Sequence, residues 1–394
     1  MAESDGRVLV LNCGSSSVRL ALLDPRTGHR QLTGLAERVG EAGTTVRVCR
    51  DGAEHRAAAA DGSYHGVLAQ LLSALTDSER ADIAGVGHRV VHGGQRFTAS
   101  VRVDTSVLTE LRGLTDLAPL HLRANIAGIE AAQQALPASS QVAVFDTAFH
   151  QSMPPVAYRY AVPDAWWQQG VRRYGFHGTS HRYVSQAAAD LLGRPLAELR
   201  MVTLHLGNGC SATAIRDGRS VDTSMGLTPL AGLVMGTRSG DLDPGVLGYV
   251  ADRLGLDLAG MLDALNTRSG LLGLSGLSND MRTLCEAAGT GSAAAGLAID
   301  VFCYRVAKTV GALAVALGGL DVLVFTGGIG EAAVEIREAV LARLALLGLR
   351  LDRAANVEHG RASAGRISEP GEAVAMVVPT DEELLIARDT AQLS

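Results

Sequence analysis

The chain has 394 residues, 47% of them hydrophobic and 19% charged, with a formal net charge of -6. That length suits two or three domains, and the apolar share supports large cores and excludes a disordered chain. The weak negative balance gives no footprint for nucleic acid or an anionic membrane surface. Five cysteines, Cys13, Cys49, Cys210, Cys285 and Cys303, are scattered without a CxxC pair, which points to a reducing, cytoplasmic setting and away from structural zinc. The opening MAESDGR lacks the basic and apolar regions of a signal peptide. The apolar run 301–325 is interrupted by Arg305, Lys308 and Asp321 and reads as a buried helix and strand, not a membrane span.

Residues 8–23, VLVLNCGSSSVRLALL, come first. The run 8–11 is apolar and β-prone, 12–17 turns to small polar residues and one glycine, and Val18, Leu20 and Leu22 resume with alternation. This predicts a hairpin. Its tip, with Gly14, Ser15, Ser16 and Ser17, admits close backbone approach and offers hydroxyl donors to phosphate oxygens; an ordinary serine-tipped hairpin fits the same residues. Further on, the patterns predict a strand over 44–48, a helix over 64–75 and a strand over 83–91 running into His92-Gly93-Gly94. Helices follow over 105–117 and 123–135, then a buried strand over 142–145 ending at Asp146. Prolines and aromatics gather at 152–170, the mark of a crossing between domains. A helix is expected over 183–192, capped by Thr179 or Ser180.

Residues 201–218 repeat the opening pattern of strand, Gly/Asn/Ser turn and alternating return strand, closed by Asp217-Gly218. The two hairpins start about 195 residues apart, half the chain, which predicts an internal duplication. QVAVFDTAFH (141–150) and DVLVFTGGIG (321–330) read as a second corresponding pair. The segment 226–245, GLTPLAGLVMGTRSGDLDPG, is too glycine-rich for a regular element, and such long segments are usually functional. A long helix over 293–317, a strand over 322–325, a glycine turn over 326–330 and an amphipathic helix over 331–347 follow. The last strand covers 374–378, and Thr380 or Asp381 caps a terminal helix. The architecture is α/β, two copies of one unit, each presenting a hairpin to a shared cleft.

Three glycine turns after strands, at 12–17, 207–211 and 327–330, favour nucleotide phosphates, although none is a Walker A or GxGxxG sequence. His88/His92 and His177/His181 have i,i+4 spacing but lack the glutamate of a zinc HExxH helix. Asn12, Asp146 and Glu382 stand at strand ends or a helix start, where a hard cation can be held. Arg89, Arg238 and Arg282, read as strand-end or loop residues, suit a transferring phosphoryl group.

LNCGSSSVRL, GHRVVHGG, LAPLH, FDTAFH, YGFHGTSH, HLGNG, SMGLTPL, GLVMGTRSGDLDPG, GGIGE and PTDEELLIARD run the length of the chain, and together they resemble the acetate kinase family. The resemblance implies the acetate and sugar kinase/actin-like superfamily, with two duplicated actin-like (ribonuclease-H-like) domains and an interdomain nucleotide cleft. The domains implied are 1–150, completed by 379–394, and 151–378, which binds nucleotide and dimerises. It also implies reversible transfer of the ATP γ-phosphoryl group to acetate, giving acetyl phosphate and ADP, with Mg2+ or Mn2+, in a cytoplasmic homodimer.

By the same resemblance, Asn12 and Glu382 match metal positions, and Asp146, His177 and Arg238 match catalytic ones. Arg89 flanks the acetate, whose methyl pocket is Val91, Leu120, Phe176 and Pro229. His205, Leu206, Gly207, Asn208 and Gly209 match a phosphate hairpin. Asp280, Met281, Arg282, Gly328, Ile329, Gly330, Glu331 and Ala332 match nucleotide positions, with Arg19 on the first hairpin. Four departures stand out. Arg19 replaces the usual lysine, Leu122-Arg123 replaces Asn-Pro, Ala231 replaces a glutamate and Ala332 an asparagine. Leu122-Arg123 is expected at the rim of the acyl pocket. Cys13 and Cys210, each inside a phosphate hairpin, are expected to react with thiol reagents, with ATP protecting. A propionate or butyrate kinase of the same family and a non-catalytic actin-like nucleotide binder are the alternatives.

Overall fold

The computed structural model describes residues 6–14 and 16–394; Ser15 lies outside the described residues, and so does the side chain of Leu120. The chain divides into two units, Met1–Phe149 with Asp381–Ser394, and His150–Thr380. Among the described residues, unit one holds an eight-stranded sheet in the order β5-β4-β3-β2-β1-β6-β8-β7. Its strands are β1 (Arg7–Cys13), β2 (Ser17–Leu23), β3 (Arg30–Glu37), β4 (Thr45–Arg50), β5 (Ala53–Ala58), β6 (Ile83–Val90), β7 (Val101–Arg102) and β8 (Ser140–Phe145). Short turns make β1 to β5 an antiparallel meander, whereas helical crossovers bring β6 and β8 in parallel to β1. The predicted opening hairpin is present, with Cys13 opposite Val18 and the Gly14 N–H donating to the Ser17 carbonyl at 2.7 Å.

Unit two holds a sheet of β9 (Met201–Leu206), β10 (Cys210–Arg216), β11 (Arg219–Thr223), β12 (Val322–Thr326) and β13 (Val374–Val377) in the order β11-β10-β9-β12-β13. Here too an antiparallel three-stranded meander is continued by two parallel strands. The run β3-β2-β1-β6-β8 has the same order, so the duplication is visible in the topology. One detail of the sequence reading changes. β12 takes the place that β6 has in unit one, and β13 that of β8, so 321–330 corresponds to GHRVVHGG rather than to 141–150. A short apolar strand breaking into a turn is a local pattern, and it carries no information about which strands are neighbours.

Alternation along the strands sorts the two faces of the first sheet. Leu9, Leu11, Cys13 and Val86 enter a core with the helices Tyr64–Leu72 and Pro119–Ala135. The opposite face carries the terminal helix Glu382–Leu393, which packs on β1, β6 and β8. Gly87 makes this close packing possible, because a Cβ there would lie 2.6 Å from Ile386 Cγ2. Asp381 caps the helix by accepting the Leu384 N–H at 2.9 Å.

Elsewhere the helix boundaries moved. The helix expected over 183–192 runs Gly178–Leu192, with His177 as an N-cap in left-handed conformation (φ 58°) and no side-chain cap bond; Thr179 and Ser180 lie inside its first turn. Residues 327–332 are helical rather than a turn, because Gly327 (φ 76°) lets β12 pass directly into the helix Gly327–Ala332. A second helix, Val334–Ala342, follows after extended Ala333. The segment between β11 and the helix Gly245–Leu254 contains no strand or helix among the described residues, as its glycines foretold. Among the described residues no helix is long and apolar enough to cross a membrane.

Candidate active site

In unit one the strand parity places three polar residues on the face of the terminal helix. Asn12 on β1, Arg89 on β6 and Asp146 just past β8 all stand at the C-terminal ends of adjacent parallel strands, the usual place for a ligand in an α/β sheet. Arg89 meets Asp146 as a fork, Nε to Oδ1 at 2.9 Å and Nη2 to Oδ2 at 2.7 Å. Glu382, at the start of the terminal helix, brings Oε2 within 3.8 Å of Arg89 Nε. Arg30 binds Asp381 at 2.6 Å and Glu383 at 2.9 Å, on either side of Glu382 in sequence, and so anchors that first turn. Burial opposes the charge on Arg89, but the carboxylates of Asp146 and Glu382 outweigh it and hold the guanidinium well above the ordinary arginine range. Arg19 pairs across the hairpin with Asn12 and is exposed.

In unit two, Thr203, His205 and Ser211 share one face of the β9–β10 hairpin and meet the helix Gly178–Leu192. The His177 ring stacks at a tilt on His205, with centroids 4.4 Å apart, and its Nδ1 is 2.9 Å from Ser211 Oγ. His205 Nδ1 is 2.7 Å from Ser180 Oγ, which in turn is 2.9 Å from Thr380 Oγ1. Gly209 marks where these groups converge. A Cβ there would lie 3.4 Å from Arg238 Nη1 and 3.5 Å from His177 Nε2. Arg238 donates to the Pro229 carbonyl at 3.3 Å, and burial pulls its pKa below the ordinary value.

Beside this turn lies a pocket of about 650 Å³, in the size range of small-ligand sites. Its walls include Gly207, Asn208, Asp280, Met281, Arg282, Gly328, Ile329 and Ala332. Asp280 caps the helix Met281–Gly289, and the Arg282 guanidinium, 2.8 Å away, holds the Asp280 carboxyl down at about 2. Arg282 is therefore on the first turn of a helix, not in a loop.

The sequence profile of the Acetokinase family matches residues 7–388. The chain belongs to the acetokinase family. It is 57% identical over 385 residues to the acetate kinase of Deinococcus radiodurans, covering 97% of both chains. Crystal structures of a propionate kinase from Francisella tularensis (TM-score 0.93, 44% identity, covering 99% of this chain and 100% of that one) and of Porphyromonas gingivalis acetate kinase (TM-score 0.92, 43% identity, covering 98% and 99%) superpose on it. The fold class is the duplicated, actin-like α/β arrangement expected from the sequence.

The remaining sequence-named positions of this acetokinase chain are distributed as follows. Val91 and the backbone of Leu120 belong to unit one; Phe176, which is buried, and Pro229 belong to unit two. Leu206 and Gly330 are buried and offer only backbone. Glu331 faces inward, its Oε1 accepting from the Thr326 hydroxyl (3.1 Å), the Gly327 N–H (2.9 Å) and the Thr380 N–H (3.1 Å). Leu122 is fully buried in the core with Phe97, Ile126 and Phe145, so it does not form a pocket rim; Arg123 is exposed.

The donors for a hard cation, the Asn12 amide oxygen and the Glu382 carboxylate, are of the right chemical kind. Among the described residues no group of three or more His, Cys, Asp or Glu is arranged to hold a metal ion.

The sequence reading missed Arg337, which is fully buried and holds the glycine helix in place. It donates to the carbonyls of Gly330 (3.0 Å), Glu331 (2.8 Å) and Asn356 (2.9 Å). Its position in the apolar stripe Ile336, Arg337, Val340, Leu341 was the available signal.

Burial argues against the expected thiol reactivity. Cys13 and Cys210 are buried, and burial pushes both thiols up to about 12. A buried thiol held in its protonated form is a poor nucleophile. Maleimide labelling of the native protein, read by mass spectrometry, leaves both unmodified with or without MgATP. Modification of either at the rate found in urea contradicts this.

Proposed function

We propose that this chain is an acetate kinase, passing the γ-phosphoryl group of ATP reversibly to acetate to give acetyl phosphate and ADP. The observation that carries the reading is the convergence of Arg238 and His177 on the Gly209 turn, beside a pocket of nucleotide size, in a member of the acetokinase family.

Acetate is already ionised at neutral pH, so the acceptor needs no base. Catalysis then rests on positioning and on neutralising charge over the phosphoryl oxygens. In this reading Arg238 and the His177 Nε2 contact the transferring group, and Arg89 holds the acetate carboxylate. The apolar residues Val91, Phe176 and Pro229 are the contacts proposed for the acetate methyl. Asp146 aims Arg89 through the two-point ion pair and is not a base. The nucleotide rests on Asn208, Asp280, Arg282, Gly328 and Ala332. Asn12 and Glu382 hold Mg2+ or Mn2+, which when bound screens the phosphate charge. The protein works in the cytoplasm as a homodimer; exposed Tyr249, Leu254, Leu258 and Leu262 on the helices Gly245–Leu254 and Leu258–Thr267 support self-association.

Propionate is the second reading, favoured by the fit to the propionate kinase structure. One methylene changes specificity by about 10- to 200-fold. A kcat/KM series over formate, acetate, propionate and butyrate with MgATP tests both readings. A maximum at acetate is expected, a maximum at propionate selects the second, and no turnover with ATP bound overturns both.

A further inference from the structure

We infer that Ser211 and the buried His181 are positioning residues that fix the ring proton of His177, so that its Nε2 meets the phosphate turn as an N–H donor. This rests on the proposed function, in which His177 touches the transferring group.

Ser211 Oγ stands between two imidazoles, 2.9 Å from Nδ1 of His177 and 2.7 Å from Nε2 of His181. The other nitrogen of His181 is 2.7 Å from Thr203 Oγ1. Thr203, His181 and Ser211 are all fully buried, so each polar atom needs its partner from within this chain of contacts. A hydroxyl has one proton to donate. If Ser211 gives it to His177, then His181 must present Nε2–H to Ser211, and Thr203 must donate to His181 Nδ1. Every contact is satisfied, and neutral His177 carries its proton on Nε2, the edge that faces Gly209 and Arg238.

In the reverse direction Ser211 donates to His181, and neutral His177 turns a bare Nε2 towards the phosphate, where lone pair meets anion. His177 then donates from Nε2 only as an imidazolium. The two rings therefore change tautomer together. Burial, with His150 and His205 beside it, holds His181 far below the ordinary histidine range, so it stays neutral and can serve as the relay.

Several groups among the described residues face the pair. His205 stacks on His177 and is fixed by Ser180. His150 lies edge-on to His181 at 5.8 Å, with Nε2 donating to the Phe176 carbonyl at 3.0 Å and Nδ1 accepting from Ser220 at 2.9 Å. Arg238 and the protonated Cys210 are at the Gly209 end. The neutral Nε2–H form keeps a donor at the turn without adding a second positive charge beside Arg238.

The test compares full-length wild type, Ser211→Ala, Ser211→Thr and His177→Ala. Wild-type kcat is expected to be flat between about pH 6 and 8, because neutral and cationic His177 both donate. Ser211→Ala loses the relay, so kcat near pH 8 falls about 10-fold, recovers in more acid solution, where an imidazolium donates from both nitrogens, and leaves the KM for ATP within about twofold. Ser211→Thr restores the flat profile. A purely structural serine lowers kcat equally at every pH, and that result overturns the relay. If His177→Ala keeps full activity, the reading of His177 fails first. If His177→Ala is inactive while Ser211→Ala keeps a flat profile, only the relay fails. Nitrogen-15 NMR of histidine-labelled wild type decides the question even where Ser211→Ala does not fold: Nε2–H on neutral His177 is expected, and Nδ1–H overturns the inference.

Discussion

Arg238→Ala is expected to lower kcat by at least about 10²-fold, the scale of one lost transition-state donor, and to change the KM for ATP far less, if Arg238 contacts the transferring group as proposed. Arg238 sits in a segment without helix or strand, yet its place is defined. Its backbone carbonyl accepts the Met235 N–H at 3.1 Å, and its guanidinium touches the Pro229 carbonyl and, at 3.8 Å, the Met235 sulfur. These neutral partners compensate a half-buried cation poorly, and burial already weakens its hold on the proton. An anion arriving at the Gly209 turn supplies the missing countercharge, most of all when its charge spreads in the transition state. Arg238→Lys keeps the charge but loses the planar fork, and recovers only part of the rate. The same logic gives an opposite sign for stability. Removing a poorly paired, half-buried charge leaves Tm unchanged or raises it. Steady-state kinetics with differential scanning calorimetry checks both. A variant that is less stable and equally active assigns Arg238 a structural role only.

The hairpins were legible because their information is local: side-chain alternation, a small-residue turn and, at 217–218, the Asp-Gly pair all lie within a few residues. The two-point contact of Arg89 with Asp146 was not. The residues are 57 apart in sequence, and pairing them requires knowing that β6 and β8 are neighbours in a register that sets Arg89 beside Val144. Parity places each on a face, but only the topology makes the faces one. The polar face of β9 misleads in another way. Thr203, His205 and Ser211 belong to a segment read only as a hairpin with a phosphate turn, whereas the helix Gly178–Leu192 covers that face, burying Thr203 and Ser211 in a hydrogen-bonded network. Leu122 was the converse case, a departure near named site residues whose side chain belongs to the core.

Arg89→Ala is expected to cost both activity and stability, and the double variant separates the two. Asp146 is 1% exposed and binds Arg89 through both oxygens, with Glu382 3.8 Å from the same guanidinium. Truncating Arg89 leaves two carboxylates without their cation; a broken buried pair costs about 3–5 kcal/mol, and the partial exposure of Arg89 and Glu382 puts the loss here at or below the low end of that range. Replacing Asp146 by asparagine in the same chain removes one of those charges and recovers much of the stability. Activity is not expected to return, because the group proposed to orient the carboxylate of the acceptor is still missing; kcat/KM for acetate stays at least about 10²-fold down in both variants. Asp146→Asn alone keeps an oxygen to accept from Arg89 but loses the second contact, so it lowers kcat/KM without adding a pH limb. That last feature discriminates between roles. If Asp146 removed a proton in the reaction, wild-type kcat would fall with acid through its titration and Asp146→Asn would abolish that limb. If it aims Arg89, the two pH profiles are parallel and differ only in height. Urea denaturation of the four proteins of this cycle, read beside their pH–rate profiles, measures the coupling energy and the role together.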